Sequence, residues 1–326
     1  MAVSAEQAPR GPLFAGHQKV SDRFGDQLLR VVTGLAALAS VGVLVWLAYT
    51  LFDHASPAIS RFGLGFIGTS AWDPVHLKFG AADFIFGTLE SSFLALLVSA
   101  PMSIAIAVFL TELAPRVARR PTQILVELLA AIPSVILGLW GIIVLGPFLN
   151  NAFEPALHSA FGWIPLFSGS ASPYGMFSAA IILTIMTVPI VTSITREIFE
   201  TTPSEFKEGA YALGATRWEM VRMVVLPYAG PGIVGAVVLG LGRALGEAIA
   251  VTQVIGNTAG IHSSLFQPSG TLAAQIASEY QGATTNLQIA SLIYLAAILL
   301  VITLIANAGA RLIVHRVSAG RTQWAP

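Results

Sequence analysis

Arg243 and Glu247 stand four residues apart in the stretch Gly235-Ala-Val-Val-Leu-Gly-Leu-Gly-Arg243-Ala-Leu-Gly-Glu247-Ala-Ile-Ala250, in which every other residue is apolar or glycine. A charge at the centre of a membrane helix costs about 2.5–3.5 kcal/mol, against the roughly 0.3–0.6 kcal/mol that one leucine returns. A helix carrying both charges must therefore turn them away from lipid. Read as one helix from Ala229 to Ile255, the stretch puts Arg243 near the bilayer midplane and Glu247 about 6 Å nearer the outside. Positions 236, 240, 243, 247 and 250 then share a face reading Ala, Gly, Arg, Glu, Ala, and Gly242 and Gly246 form a small-xxx-small pair on the next stripe. Two roles are open to the charges. They can close on each other as an i,i+4 pair that fixes packing, although Arg before Glu is the weaker order. Alternatively, the guanidinium can attract an oxyanion in a transport path, its planar fork suiting phosphate, while the carboxylate holds it ready.

A second constellation is polar and lies outside any apolar run. It reads Thr201-Thr-Pro-Ser-Glu-Phe-Lys-Glu-Gly-Ala-Tyr-Ala-Leu-Gly-Ala-Thr-Arg-Trp-Glu-Met220 and continues to Leu226-Pro227. Pro203 followed by acidic residues predicts a helix start, and Gly214 its stop. Thr216 with Glu219 three residues later predicts a capping box on a second helix. Phe206, Ala210 and Leu213 fall on one side of the first helix, with Lys207 and Glu208 facing elsewhere. The expected product is a rigid two-helix knob able to dock in a groove of another protein and to transmit its movement.

Other chemistry is not supported by spacing. A phosphate-cradling loop ends in Gly-Lys-Ser/Thr, yet the lysines are Lys19, Lys78 and Lys207 and none follows a glycine. The histidines (17, 54, 76, 158, 262 and 315) are scattered without ligand spacing, and there is no cysteine, so no metal site and no catalytic residue is expected. Glu90 and Glu127 are expected near span ends, within reach of water. Pro133, Pro147 and Pro189 can kink helices, and Ser134, Thr184 and Thr187 can bond either to a passing anion or to their own helix.

The elements that must position these residues follow from composition. Of 326 residues, 55% are hydrophobic and only 10% charged, and mean hydropathy is +0.76. A soluble domain carries about a quarter charged residues, so part of this chain's solvent is lipid, which excludes disordered, secreted and nucleic-acid-binding classes. Apolar runs bounded by charge predict six spans: about 28–52, 86–113, 123–150, 176–198, 229–255 and 286–313. Each is long enough to cross roughly 30 Å of hydrocarbon. The first is too long and too deep in the chain for a signal peptide and is expected to stay attached. One side receives Arg10, Lys19, Arg23, Arg30, Arg116, Arg119, Arg120, Arg196, Lys207, Arg217, Arg222, Arg311, Arg316 and Arg321, the other only Arg61 and Lys78. That asymmetry predicts both termini and the loops near 114–122 and 199–228 to be cytoplasmic. The organisation expected is a cytoplasmic segment 1–27, a first transmembrane helix 28–52, an outer segment 53–85, a core 86–313 of five transmembrane helices with the loop 199–228, and a tail 314–326.

The polar loop resembles the EAA loop of binding-protein-dependent ABC permeases, with Glu208-Gly209-Ala210, three residues, Gly214, nine residues, Val224, one residue, Leu226-Pro227. It departs at Gly209, where that pattern has alanine, and at Val224, where it has isoleucine. Gly242-Arg243-Ala244-Leu245-Gly246-Glu247 and Ile132-Pro133-Ser134-Val135-Ile136-Leu137-Gly138-Leu139-Trp140-Gly141 resemble segments of the PstC-type permeases of bacterial phosphate importers, and Gly87-Thr88-Leu89 to Glu112 is similar as well. The likeness covers about residues 80–315. It implies an all-α membrane protein of six transmembrane helices with type I ABC importer permease architecture, in the bacterial inner membrane. It further implies that Glu208 to Pro227 sits on an ATPase dimer of the PstB type that holds ATP-Mg, this chain binding no cofactor itself. A homologous second permease of the PstA type and an extracytoplasmic phosphate-binding protein of the PstS type would complete the importer, with Arg243 and Glu247 in the path of inorganic phosphate. A permease for another oxyanion or small solute, and a proton-coupled transporter using Glu247, are the other readings open to the sequence.

Overall fold

The computed structural model describes residues 20–319, with side chains described for 25–312 except Arg116. The expectations for Arg10, Lys19, Arg316, Arg321 and both terminal segments lie outside the described residues or side chains. The chain divides into two units. The first reaches Thr50, and its described part belongs to helix α1 (Val20–Phe62), with exposed, mostly apolar side chains. The second begins at Leu51 and holds the end of α1 and everything that follows.

In the second unit a short helix α2 (Gly65–Gly68) and a hairpin of β1 (Trp72–Asp73) and β2 (Lys78–Phe79) precede α3 (Ala82–Val108), which ends in a π-helical turn at Phe109–Leu113. There follow α4 (Arg116–Ala131), then α5 (Ser134–Trp140), α6 (Gly146–Phe148) and α7 (Glu154–Phe161), the last three joined by π-helical turns at Gly141–Leu145 and Leu149–Phe153. Next come α8 (Met176–Glu200), α9 (Ser204–Ala212) and α10 (Arg217–Met220), which passes through a π-helical turn at Val221–Val225 into α11 (Leu226–Gly246). The chain closes with α12 (Ile249–Val254), α13 (Leu272–Glu279) and α14 (Asn286–Ala319).

Among the described residues, six helical segments are long and apolar enough to cross a membrane: Gly25–Phe62, Ala82–Leu113, Ser134–Phe161, Met176–Glu200, Arg217–Gly246 and Asn286–Leu312. Two expected spans are corrected. The third does not begin at Gln123: Ile132 is extended (φ −67°, ψ 123°) because the following Pro133 disfavours helical backbone there, and the helix restarts at Ser134. Residues 116–131 form a separate amphipathic helix, with Arg119, Arg120, Gln123 and Glu127 on one side and exposed Val117, Leu125 and Leu128 on another. The fifth span ends at Gly246 rather than Ile255. The segment after it contains α13, capped by Thr271 through the Ala274 N–H and packed back on α3, α12 and α14.

The main apolar core joins α3, α5, α8 and α12, with Ile182, Leu183, Val254 and Ala250 buried. A second cluster gathers the hairpin, α13 and α14 around Phe66, Phe84 and Leu295. A third lies where α3 ends and α11 begins, around Ala107, Phe199, Met220, Val221 and Val225. This third cluster supports the two-helix loop.

Candidate functional site

Arg243 lies in the last turn of α11, and Glu247 follows the helix rather than continuing it: its backbone is extended (φ −72°, ψ 117°) and α12 starts two residues later. The continuous helix expected over 229–255 is therefore broken at Glu247. Gly240, Gly242 and Gly246 weaken the preceding turns, each costing about 1 kcal/mol of helix propensity relative to alanine, and the carboxylate then serves the new helix. Glu247 Oε1 accepts the Ala250 N–H at 3.3 Å, satisfying one of the donors that a helix start leaves orphaned. Its other oxygen stands 3.8 Å from Arg243 Nη2, farther than a hydrogen bond. The Glu247 side chain is 8% exposed and that of Arg243 46%. The guanidinium is thus held near a carboxylate without being closed on it.

The expected shared face is corrected as well. The buried row on α11 runs through Ala229, Ala236, Gly240 and Ala244, and Arg243 sits beside it. Gly240 lets α8 approach closely, since a Cβ there would lie 2.7 Å from Val191 Cγ2 and 2.9 Å from Thr187 Cγ2. Gly246 has nothing within 4 Å of such a Cβ and Gly242 has Asn307 Oδ1 at 3.9 Å, so among the described residues the Gly242/Gly246 stripe is not a tight packing seam.

The helices that follow the two breaks pack on each other. Gly138, one turn into α5, packs so tightly on α12 that a Cβ would meet the Ala250 Cα at 3.0 Å and the Gln253 side chain at 2.9 Å. α5 and α12, the helices that follow the two breaks, therefore meet near their first turns. Of the neighbouring hydroxyls, Thr184 donates to the Ala180 carbonyl at 2.7 Å and Thr187 to the Leu183 carbonyl at 2.6 Å, so both bond to their own helix. Glu127 is exposed and accepts from Gln123 Nε2 at 2.8 Å, whereas Glu90, expected to reach water, is half-buried in α3.

The two-helix loop forms as its turn chemistry predicts. Pro203 precedes α9, Gly214 takes φ +85° after it, and Thr216 and Glu219 exchange both bonds of the capping box. Glu208 and Gly209 are exposed, Ala210 packs partly buried on the third core cluster, Val224 and Leu226 are half-buried at its foot, and Pro227 opens α11. Of the row Phe206, Ala210, Leu213, Ala210 packs on the body, Phe206 stays exposed with its ring 6.2 Å from that of Tyr228, and Leu213 is 92% exposed. Phe206, Tyr211, Leu213 and Trp218 form a bare apolar knob. Lys207 does not face solvent with Glu208 but reaches Glu112 at the end of α3, 2.6 Å from Nζ to Oε1. Glu112 had no signal in the sequence beyond closing a span. Nor did Glu154, buried at the foot of α7 and accepting the Ser172 N–H at 2.8 Å.

Three similarities bear on this geometry. The family described as binding-protein-dependent transport system inner membrane component matches residues 99–319. Two relatives called "Phosphate transport system permease protein PstC" are 46% identical over 298 residues (Mesorhizobium japonicum; 90% of this chain, 91% of that protein) and 43% identical over 282 residues (Haemophilus influenzae; 85% and 89%). Among solved structures, a chain of a bacterial alginate ABC transporter in complex with an alginate pentasaccharide-bound periplasmic protein superposes with a TM-score of 0.56 at 23% identity, covering 91% of this chain and 99% of that one. That likeness is one of fold.

Proposed function

The chain belongs to the binding-protein-dependent transport system inner membrane component family, and on that premise we propose that it is the PstC-type permease subunit of an ATP-driven importer of inorganic phosphate. The observation that carries the mechanism is the bare apolar knob at 204–218 with EAA spacing, set on a chain without a phosphate-cradling lysine of its own. An ATPase dimer of the PstB type, holding ATP-Mg, takes the knob on the cytoplasmic side of the bacterial inner membrane, where both termini also lie. A second permease of the PstA type completes the path, and a phosphate-binding protein of the PstS type delivers solute to the opposite face.

The chain's own geometry supports this division of labour. From Arg217 to Gly246 the backbone is one helical segment that passes through the π-helical turn Val221–Val225, so displacement of the knob is carried along it toward Arg243. Its guanidinium, nearly half exposed and 3.8 Å from a carboxylate, offers an oxyanion a planar pair of donors. The Glu247 charge opposes nonspecific anion leakage. The permease performs no covalent chemistry; it shifts population between inward- and outward-open states as the ATPase closes and resets.

Phosphate uptake into vesicles carrying this chain with a second permease, the ATPase and the binding protein tests both parts. Arg243→Gln is expected to abolish uptake while the ATPase stays bound, and Glu208→Lys to release the ATPase. Normal transport by the first variant removes Arg243 from the path; normal docking in the second removes the loop from the interface.

A further inference from the structure

We propose that the Lys207–Glu112 ion pair is the tie through which movement of the two-helix loop pulls the end of α3, which makes both of them positioning residues for coupling. The inference rests on the reading of that loop as the ATPase dock. Lys207 is in α9, one residue before Glu208, and Glu112 lies in the π-helical turn Phe109–Leu113 that ends α3. Their 2.6 Å separation is that of a charge-assisted hydrogen bond, and the side chains are only 22% and 10% exposed. Breaking such a shielded pair leaves a charge poorly solvated, so its partners stay together through a displacement rather than exchanging for water.

Among the described side chains, the other contacts of α9 with the body are apolar: Ala210 rests on the cluster of Phe199, Met220 and Val221, and the Phe206 ring lies 6.2 Å from that of Tyr228. Contact of that kind is non-directional and lets the surfaces slide past each other. An ion pair of fixed length transmits both push and pull. The same π-helical turn is held from its other side, because Arg119 Nη2 of α4 donates to the Thr111 carbonyl. The turn is thus a junction between α3, α9 and α4, at a place where the wider π geometry already loosens the helix ladder. Farther up, α3 is fastened to α8 by the Ser103 hydroxyl, which donates to the Val188 carbonyl at 3.1 Å, and it packs along α11 as well. Pulling on Glu112 therefore moves the helix that flanks α11, while α11 itself is driven directly through α10.

The test uses the whole importer in proteoliposomes with Glu112→Gln, Lys207→Gln and the exchanged pair E112K/K207E, reading phosphate taken up per ATP hydrolysed, retention of the ATPase and thermal unfolding. Each single variant is expected to keep the ATPase, to melt lower because a shielded charge is left unpaired, and to lose about tenfold in uptake per ATP, within the usual range of coupling between sites; the exchanged pair is expected to recover both. Unchanged uptake per ATP in the single variants overturns the tie, as does a loss that the exchanged pair fails to restore. Failure of the dock itself reads differently, as full ATPase retention and coupling in Glu208→Lys.

Discussion

At the scale of single residues, the small side chains of α11 divide by what they touch. Gly240 faces α8, and a Cβ there would lie 2.7 Å from Val191 Cγ2, whereas Gly246 has open space around it. Overpacking a tight seam costs about 1–3 kcal/mol, so Gly240→Val is expected to destabilise the chain by that amount, and Gly246→Ala, in open space at the end of α11, to stabilise it by up to about 1 kcal/mol. Thermal unfolding of the purified protein in detergent compares them; equal melting would show that the α8–α11 seam does not need glycine. Both glycines belong to the same apolar stretch, and nothing in its composition tells them apart. Arg243 and Glu247 stand out in the sequence as candidate site residues because charge inside a membrane span is costly. That Glu247 caps α12 does not show there, since it depends on where the helix breaks.

At the scale of elements, the two-helix loop was the most legible part of the chain. Its stops and caps are local: proline before a start, glycine with positive φ at an end, and threonine and glutamate three apart. Gly209, where the EAA pattern has alanine, sits in α9 with nothing near the position of a Cβ. Gly209→Ala is therefore expected to stabilise α9 by up to about 1 kcal/mol. Gly214→Ala, at φ +85°, is expected to cost about 1 kcal/mol or more, because only glycine adopts that conformation without a steric penalty. Hydrogen exchange of the α9 amides reads both, slower in the first and faster in the second; the opposite order would mean that packing rather than local conformation governs the loop. The third and fifth spans were less legible. Their apolar runs continue across Pro133 and Glu247, and hydropathy registers composition rather than backbone continuity, so each run was read as one helix where the chain makes two.

At the scale of the whole molecule, a proton-coupled mechanism and an ATP-driven one make opposite demands. If the bare apolar knob is the ATPase dock proposed above, vesicles holding the two permeases without the ATPase are expected to take up no phosphate under a pH gradient, and those holding the ATPase to require ATP. Uptake driven by the gradient alone would return Glu247 to the role of a proton site. Six apolar segments, an excess of basic residues toward one side and the chemistry of one loop follow from the sequence by itself, because hydrophobic run length, charge placement and turn residues act through near neighbours along the chain. The tertiary structure alone decided that Arg243 stands beside the buried row, that two broken helices meet at Gly138 and Ala250, and that Lys207 pairs with Glu112. Those partners are brought together across the bundle by packing, 95 residues apart in the last case, and no local pattern carries a signal for a contact that only the folded bundle creates.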